Sequence, residues 1–416
     1  MAGTANYQAG VEANQTVLSY QNEVTWGIAP AATPKWNMIR YLSDTLALTK
    51  TRQRPAEINL TREVSGGVTT TQQAGGTINY ALSWGTFDDF FGSLCQGEWS
   101  HTPPFQIFSI LTDLTITANG TGTLTLTSTL ATKFSTVVVG QYLRLSGWVA
   151  AKFNSWFRVT VATATSITMV GIATATGTET SVTSNQVQIS GSRLNNGTTF
   201  HSLFMQRKFD GKGYVRYGGC YVTRITLGAS VGSFFTGAID VIAQSEAFAG
   251  ADASSGGPNL APGGSVIDPV AGYVRMTYNG ATNTIAANLD QLQLTLENTG
   301  AAPEFALGAV GVNPAQVAGA NGILGGTFTA SGTFRMYCKD FLLYNIFQAE
   351  TAGDVQFFLQ DSQKQSYCLS MQNVVFLAKI NASGPGAALM VDVAFECNPD
   401  TVNGGTFQLD RFPIPN

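Results

Sequence analysis

The sequence predicts a mainly β protein: two tandem β-sandwich domains, each with a short α-helix, and a small β-barrel or sandwich inserted into the first. Three observations carry this reading. Apolar residues alternate with polar ones in short runs along most of the chain. Charged residues make up only 12% of the 416, about half the usual share. A strand-then-helix pattern occurs twice, with a nearly constant spacing between its occurrences.

The length suits two or three domains, and 44% apolar residues can fill real cores. Thr, Ser, Gln, Asn and Gly take the place of charge. A neutral polar surface loses much of the repulsion that keeps proteins apart, so a permanent assembly is expected. The net charge is −4 and no basic cluster stands out, which argues against tight binding to nucleic acid. A neutral wall would still let DNA pass along it. Cys95, Cys220, Cys338, Cys368 and Cys397 are odd in number and lack CxxC spacing, so they read as small buried hydrophobes, not a disulfide framework. The start, MAGTANYQAGVEANQ, has neither a basic segment nor an apolar core of a signal peptide. No apolar run approaches about 18 residues, so no membrane span is expected. A soluble protein made in a cytoplasm is the expectation.

Residues 1–55 are polar, with scattered aromatics and prolines and no sustained period; they read as an extended arm that docks elsewhere. Glu57 to Val64 and Gly76 to Trp84 alternate as strands. In Thr86-Phe87-Asp88-Asp89-Phe90-Phe91-Gly92-Ser93-Leu94 the period changes. Phe87, Phe90, Phe91 and Leu94 fall on one helical face, Thr86 is placed as N-cap, and Asp88 and Asp89 suit the first turn. Residues 103–197 differ in texture, with short Thr- and Val-rich runs such as TLTLTS, VVVGQYLRLSG and NQVQIS between turns. They read as a domain of their own. Residues 251–265, ADASSGGPNLAPGGS, read as a linker or long exposed loop.

The strand–helix unit returns downstream. Gly75-Gly76-Thr77 matches Gly325-Gly326-Thr327 at an offset of 250, and Phe87, Phe91 and Leu94 match Tyr337, Phe341 and Tyr344. Phe204 and Gln206 match Phe358 and Gln360 at 154; Ile239-Asp240-Val241 matches Val391-Asp392-Val393 at 152. The offset thus drops by 96, the size of the stretch already set apart by texture. Upstream, Leu60, Thr61, Glu63 and Gly66 match Leu294, Thr295, Glu297 and Gly300 at 234. The alternative is two unrelated sandwich domains of similar strand texture. The resulting map is an arm at 1–55, a discontinuous first domain at 56–102 and 198–250, an insert at 103–197, a linker at 251–285 and a second domain at 286–416.

No catalytic, cofactor or metal site emerges. The only histidines, His101 and His201, have no Cys, Asp or Glu at ligand spacing, and catalysis by a Ser-His or Cys-His pair is poorly supported. Acids are scattered, and Asp88-Asp89 are explained by the helix start. There is no P-loop and no GxGxxG between a strand and a helix. Asn119-Gly-Thr and Asn196-Gly-Thr read as turns. The chain is therefore expected not to be an enzyme.

Several runs together resemble the major tail tube proteins of long-tailed, siphovirus-type bacteriophages. Glu23-Val-Thr-Trp26-Gly27-Ile-Ala-Pro30 with Ile39-Arg40-Tyr-Leu-Ser43-Asp44 is similar to that family's opening pattern. INLTREVSGGVTTTQQAGGTINYALSWGTFDDFFGSLCQGEW is similar to its first strands and helix. Val139 to Gly147 and Phe157-Arg158-Val159 resemble its small β-domain; Phe357 to Asp361, Tyr367 and Ala394-Phe395-Glu396 resemble its closing strands. Residues 246–290 have no place on the pattern. The resemblance implies a virion structural protein with tail-tube-type domains, self-assembling into stacked rings that form a hollow conduit for DNA ejection. It further implies a tape measure protein and DNA in the lumen, tail terminator and distal tail proteins at the ends, and assembly in the host bacterial cytoplasm. Family rings are six-fold or pseudo-six-fold, so two tube domains per chain favour a ring of three chains over a true hexamer. The insert would project outward or sit at the outer seam, and residues 66–84 and 316–335 are the candidates to line the lumen. The competing reading is another β-rich virion surface protein, adhesive or carbohydrate-binding.

Overall fold

The structure is a computed structural model. It describes residues 12–58, 60, 63–100, 106–108, 112–120, 122–171, 176–182, 185–190, 192–278, 281–284, 289–305, 320–339, 341–381, 384–400 and 405–414.

The chain opens with β1 (Thr16–Asn22), β2 (Asn37–Met38), β3 (Ser43–Asp44), β4 (Ala47–Gln53), β5 (Val68–Ala81) and α1 (Asp88–Cys95). Eight short strands follow: β6 (Gln106–Phe108), β7 (Leu114–Ala118), β8 (Thr123–Ser128), β9 (Tyr142–Ser146), β10 (Trp156–Ala162), β11 (Ser166–Val170), β12 (Gly177–Thr180) and β13 (Gln186–Ile189). Next come β14 (Ser192–Asn195), β15 (Leu203–Phe209), β16 (Gly213–Ser230), β17 (Thr236–Ala243) and β18 (Ser245–Ala249). After a loop come β19 (Asp268–Tyr278), β20 (Ala281–Thr284), β21 (Leu289–Thr299), β22 (Ala302–Phe305), β23 (Ala320–Leu324) and β24 (Thr327–Tyr337). The chain closes with α2 (Leu342–Gln348), β25 (Gly353–Gln360), β26 (Ser366–Asn381), β27 (Met390–Cys397) and β28 (Gln408–Phe412).

All strand pairs are antiparallel, and one order occurs twice. In the first set β1 pairs with β15, β15 with β16, β16 with β17, β17 with β5 and β5 with β4. In the second, β19 pairs with β25, β25 with β26, β26 with β27, β27 with β24 and β24 with β21. The segment with no place on the resemblance thus supplies β19, in the position that β1 holds in the first set.

The registers refine the offsets. Ile225, Ile239 and Ile78 lie side by side across one core face, as do Ala378, Val393 and Phe334 across the other. Ile78 then corresponds to Phe334 and Ile239 to Val393, offsets of 256 and 154 where the spacing suggests 250 and 152. Burial agrees: Ala74, Ile78 and Tyr80 are buried in β5, and Ala330, Phe334 and Met336 in β24. The helices align on Phe87 and Phe341, the residues before each first turn, at an offset of 254. A slip of an even number along a strand, or of four along a helix of about 3.6 residues per turn, keeps the same face. Hydrophobic spacing alone cannot detect it.

Other expectations change as well. Glu57 to Val64 is not a strand where it is described, and Ile58 and Leu60 stand fully in solvent. The strand of that hairpin lies earlier, at β4, where Ala74 opposite Leu48 and Ala330 opposite Leu296 make Leu48 the counterpart of Leu296, an offset of 248. Thr86 does not cap α1; its hydroxyl meets that of Ser83 at 2.8 Å, and Phe87 is the residue at the cap. From Thr16 on, the segment read as an arm is built into the fold: β1 joins the sheet and Trp36 is buried. The Gly/Pro/Ser-rich stretch is docked on that segment. Trp36 N–H donates to Ser254 Oγ at 3.1 Å, Asn259 N–H donates to the Trp36 carbonyl at 2.7 Å, and Arg40 donates to the Gly264 carbonyl.

Strands β6–β13 form an eight-stranded sheet with its own core, which includes Ile116, Leu126, Phe157 and Val159. Tyr142 and Trp156 leave that core and pack with Phe358 and Cys368 of the second set and with Phe412 of β28. Tyr142 and Ser370 share a hydrogen bond of 2.8 Å, and Arg144 donates to the Lys364 carbonyl at 2.7 Å. The main core is continuous: Phe90 and Leu94 of α1 belong to the same cluster as Leu294, Phe357 and Phe395. The five cysteines are free thiols.

Candidate assembly edges

Long strands set up the site. The first half of β16 pairs with β15 and β18. Beyond a bulge between Val222 and Arg224 its second half changes partners. Arg224–Ser230 then lies between β17 and residues Gln291–Glu297 of β21, so a strand pair joins the two sets directly. Leu227 and Leu294 face each other there and both are buried.

Polar side chains fasten the joint on its core side. The buried Asn298 amide donates to the Leu94 carbonyl at 2.8 Å and to the Tyr221 hydroxyl at 2.7 Å. Gln96, just past α1 and at φ 47°, donates to the same hydroxyl at 2.7 Å. Tyr221 in turn donates to the Gly325 carbonyl at 3.0 Å. Such a network satisfies each buried group with a neutral partner.

A second fastener reads differently from its sequence. Asp88 does more than start a helix: its carboxylate accepts from the Tyr367 hydroxyl at 2.5 Å and pairs with Arg411. The Arg411 guanidinium lies over the rings of Trp84 and Trp99, at 5.6 and 5.1 Å from their centroids. Burial raises Asp88 above the usual carboxylate range, and Arg411 opposes that rise. Desolvation and the nearby Asp88 carboxylate push the Tyr367 hydroxyl well up. Asp89 accepts from the Tyr20 hydroxyl at 2.8 Å, tying β1 to α1. No local motif marks these partners, because they lie 279 and 323 residues from Asp88.

Two of the open edges are of particular interest. Among the described residues β4 pairs only with β5, and Val375–Asn381 of β26 pairs only with β27. They are the counterparts of the two strands joined inside the chain: β4 corresponds to β21 and β26 to β16. An unpaired edge exposes a row of backbone donors and acceptors ready for another strand. Lys50 is exposed although it shares a strand face with the buried Leu46 and half-buried Leu48.

The opposite face of these strands is a concave wall of mixed character, lined in part by Thr226, Ser230, Gln291, Gln293, Thr333, Lys379 and the exposed Leu377. Two of its bases are paired with acids. Arg224 and Thr77 both donate to Asp240, at 2.7 and 2.6 Å, and Arg335 lies 3.5 Å from Asp290. Both stretches expected in a lumen reach this wall, through β5 and β24, with residues 316–319 outside the described set. They share it with β16, β17, β21, β26 and β27, because alternation sends half of every strand to this side. Apolar side chains stand out at its two ends: Ile58 and Leu60 in the β4–β5 loop at one, Val231 and Phe234 in the β16–β17 turn at the other.

Among the described residues no group of three or more His, Cys, Asp or Glu could hold a metal, and no helix is long and apolar enough to cross a membrane. His201 offers its carbonyl to Ser93 Oγ at 2.8 Å, and His101 lies outside the described residues. What the geometry defines is an antiparallel β protein whose β4 and β26 each keep an open edge. The family model for phage tail tube proteins matches residues 13–397, and the chain belongs to that family. It is a structural tail tube subunit, and membership places it in the virion tail. No curated protein sequence matches the chain.

Proposed function

We propose that this subunit builds a siphovirus-type tail tube by closing rings through the edges β26 and β4, with two tube domains in each chain. The strand pair β16–β21 carries the reading, since it is one complete copy of the joint that β26 and the next chain's β4 would repeat. Because Ala378 corresponds to Ile225 and Leu48 to Leu296, the repeated joint places Ala378 opposite Leu48 and Leu377 opposite Thr49 of the neighbouring chain. The contact is heterologous and closes when the rotation per chain divides the circle. Family rings carry six tube domains, so three chains complete a ring of pseudo-six-fold character. Closure pairs every backbone edge in the inner wall and removes its aggregation hazard.

Rings then stack with the β4–β5 loop of one against the opposite end of the next, covering Ile58 and Leu60. The concave faces become the lumen, where the tape measure protein and then DNA lie. A wall whose Arg224 and Arg335 are already paired with Asp240 and Asp290 offers a polyanion few free cations as it slides. The insert, packed against β25 and β26, lies outside the inner wall. Tail terminator and distal tail proteins meet the two ends, and assembly takes place in the host cytoplasm.

A double variant, Thr49→Cys with Leu377→Cys, tests the closure. Directly opposed residues have Cβ atoms about 4.5–5.5 Å apart, close enough for a disulfide with small adjustment. Mild oxidation of assembled protein should give covalent three-chain species on non-reducing gels and rings by negative-stain microscopy. Tubes that form normally without any cross-link between chains refute this joint; six-chain species refute the trimer.

A further inference from the structure

The two joints of such a ring are built from the same strands but not from the same side chains. Inside the chain, Asn298 and Gln96 converge on the Tyr221 hydroxyl, each at 2.7 Å. The offset of 248 that equates Leu48 with Leu296 puts Lys50 in the place of Asn298. The offset of 254 that aligns the two helices puts Glu350 in the place of Gln96. The backbone supports this second match independently. Gln96 and Glu350 both hold φ at 47°, a left-handed conformation that residues other than glycine seldom adopt. The register of β26 on β27 puts Val375 where Tyr221 stands.

We infer that Lys50 and the neighbouring chain's Glu350 form an ion pair that exists only at the joint between chains. This rests on the ring closure proposed above and goes beyond it by identifying the contact that distinguishes the two joints. In the single chain both side chains are exposed, and neither makes an ion pair among the described residues. Lys50 lies on the core-facing side of β4, beyond Leu46 and Leu48, a position that a surface lysine has no need to take. The partner it calls for is an acid delivered from across the open edge. Glu350 comes from the segment following α2, as Gln96 comes from the segment following α1.

The chemistry separates the two joints. The joint within the chain is neutral and hydrogen-bonded, so it forms as the chain folds. The joint between chains brings together opposite charges beside the apolar Val375, and wrong pairings lose that match. Joining β4 of one chain to β16 of another would set Lys50 against a phenol and an amide and leave a buried ammonium without an acid. Joining β26 to β21 would leave Glu350 without a base. Charge of this kind selects partners and register more than it adds affinity. A closed ring of such chains alternates the two joints.

Charge exchange tests it in the full-length protein. Lys50→Glu and Glu350→Lys should each raise the concentration needed for ring and tube formation by at least about tenfold, because each sets like charges together. Both positions are exposed in the single chain, so circular dichroism should stay that of the parent. The double variant Lys50→Glu/Glu350→Lys should assemble at the parent's concentration. In every background the Thr49→Cys/Leu377→Cys pair reports separately whether the strands meet. Cross-linking with no effect of single charge reversal, or no rescue by the double, overturns the ion pair and leaves the closure standing. Absence of cross-linking in the parent background overturns the closure, and the ion pair with it.

Discussion

Replacing Arg411 with Met should cost the subunit about 3 kcal/mol, most of it through Asp88. Removing one partner of a buried ion pair typically costs about 3–5 kcal/mol, because the other charge stays buried and uncompensated. The Arg411 side chain is 26% exposed and Asp88 10%, so the lower end applies. Stacking on Trp84 and Trp99 adds roughly 0.5–1 kcal/mol per ring. A methionine returns a similar amount by sulfur–aromatic contact, so that part nearly cancels. Urea unfolding followed by tryptophan fluorescence measures the loss, and the two flanking tryptophans report it locally. The pH dependence isolates the cause. Burial already holds Asp88 above the usual carboxylate range, and loss of Arg411 raises it further. A raised acid contributes stability below its folded-state pKa and loses it as pH rises through that value. The Arg411→Met loss should therefore be full at about pH 8 and smaller at about pH 5. Asp88→Asn in the same chain should restore roughly half of it, since the amide still accepts from Tyr367 without a charge. A loss under about 0.5 kcal/mol at the higher pH, or an equal loss at both, refutes the reasoning.

Core and edge positions should separate stability from assembly. Phe334→Ala in β24 removes a buried ring and should cost about 3–5 kcal/mol by urea unfolding, whereas Leu48→Ala, at the half-buried position of the otherwise exposed β4, should cost under about 1.5 kcal/mol yet reduce ring formation in sedimentation. Ile58→Asp with Leu60→Asp should leave the melting temperature within a degree or two, since both side chains are fully exposed. The same variant should stop growth at single rings by negative-stain microscopy; full-length tubes would exclude the loop from stacking.

Much of this protein is legible in its residue pattern, and the limits of that legibility are physical. Alternation in Thr77–Leu82 and the helical spacing of Phe87, Phe90, Phe91 and Leu94 identify their elements because local burial imposes those periods. The drop in offset, 96 by residue spacing and 256 − 154 = 102 by strand register, falls across the stretch that carries the eight-stranded sheet. Periods of two and of about 3.6, however, do not distinguish one register from the next equivalent one. Only pairing partners set Ile78 level with Phe334 and move the spacing from 250 to 256. Strand β4 escaped the pattern for a related reason. Its sequence, Ala-Leu-Thr-Lys-Thr-Arg-Gln, carries few apolar residues because only part of that face is covered by its own chain. The contacts of Asp88 with Tyr367 and Arg411, and of Asn298 with Tyr221 and Leu94, left no local signal, since nothing near them in sequence depends on them. By itself, then, the sequence determined a β protein of low charge with a recurring strand–helix unit and an insert, because these follow from local periodicity and composition. Tertiary structure alone decided which strands meet, which edges remain open and which acids are buried, because those depend on the approach of residues hundreds of positions apart.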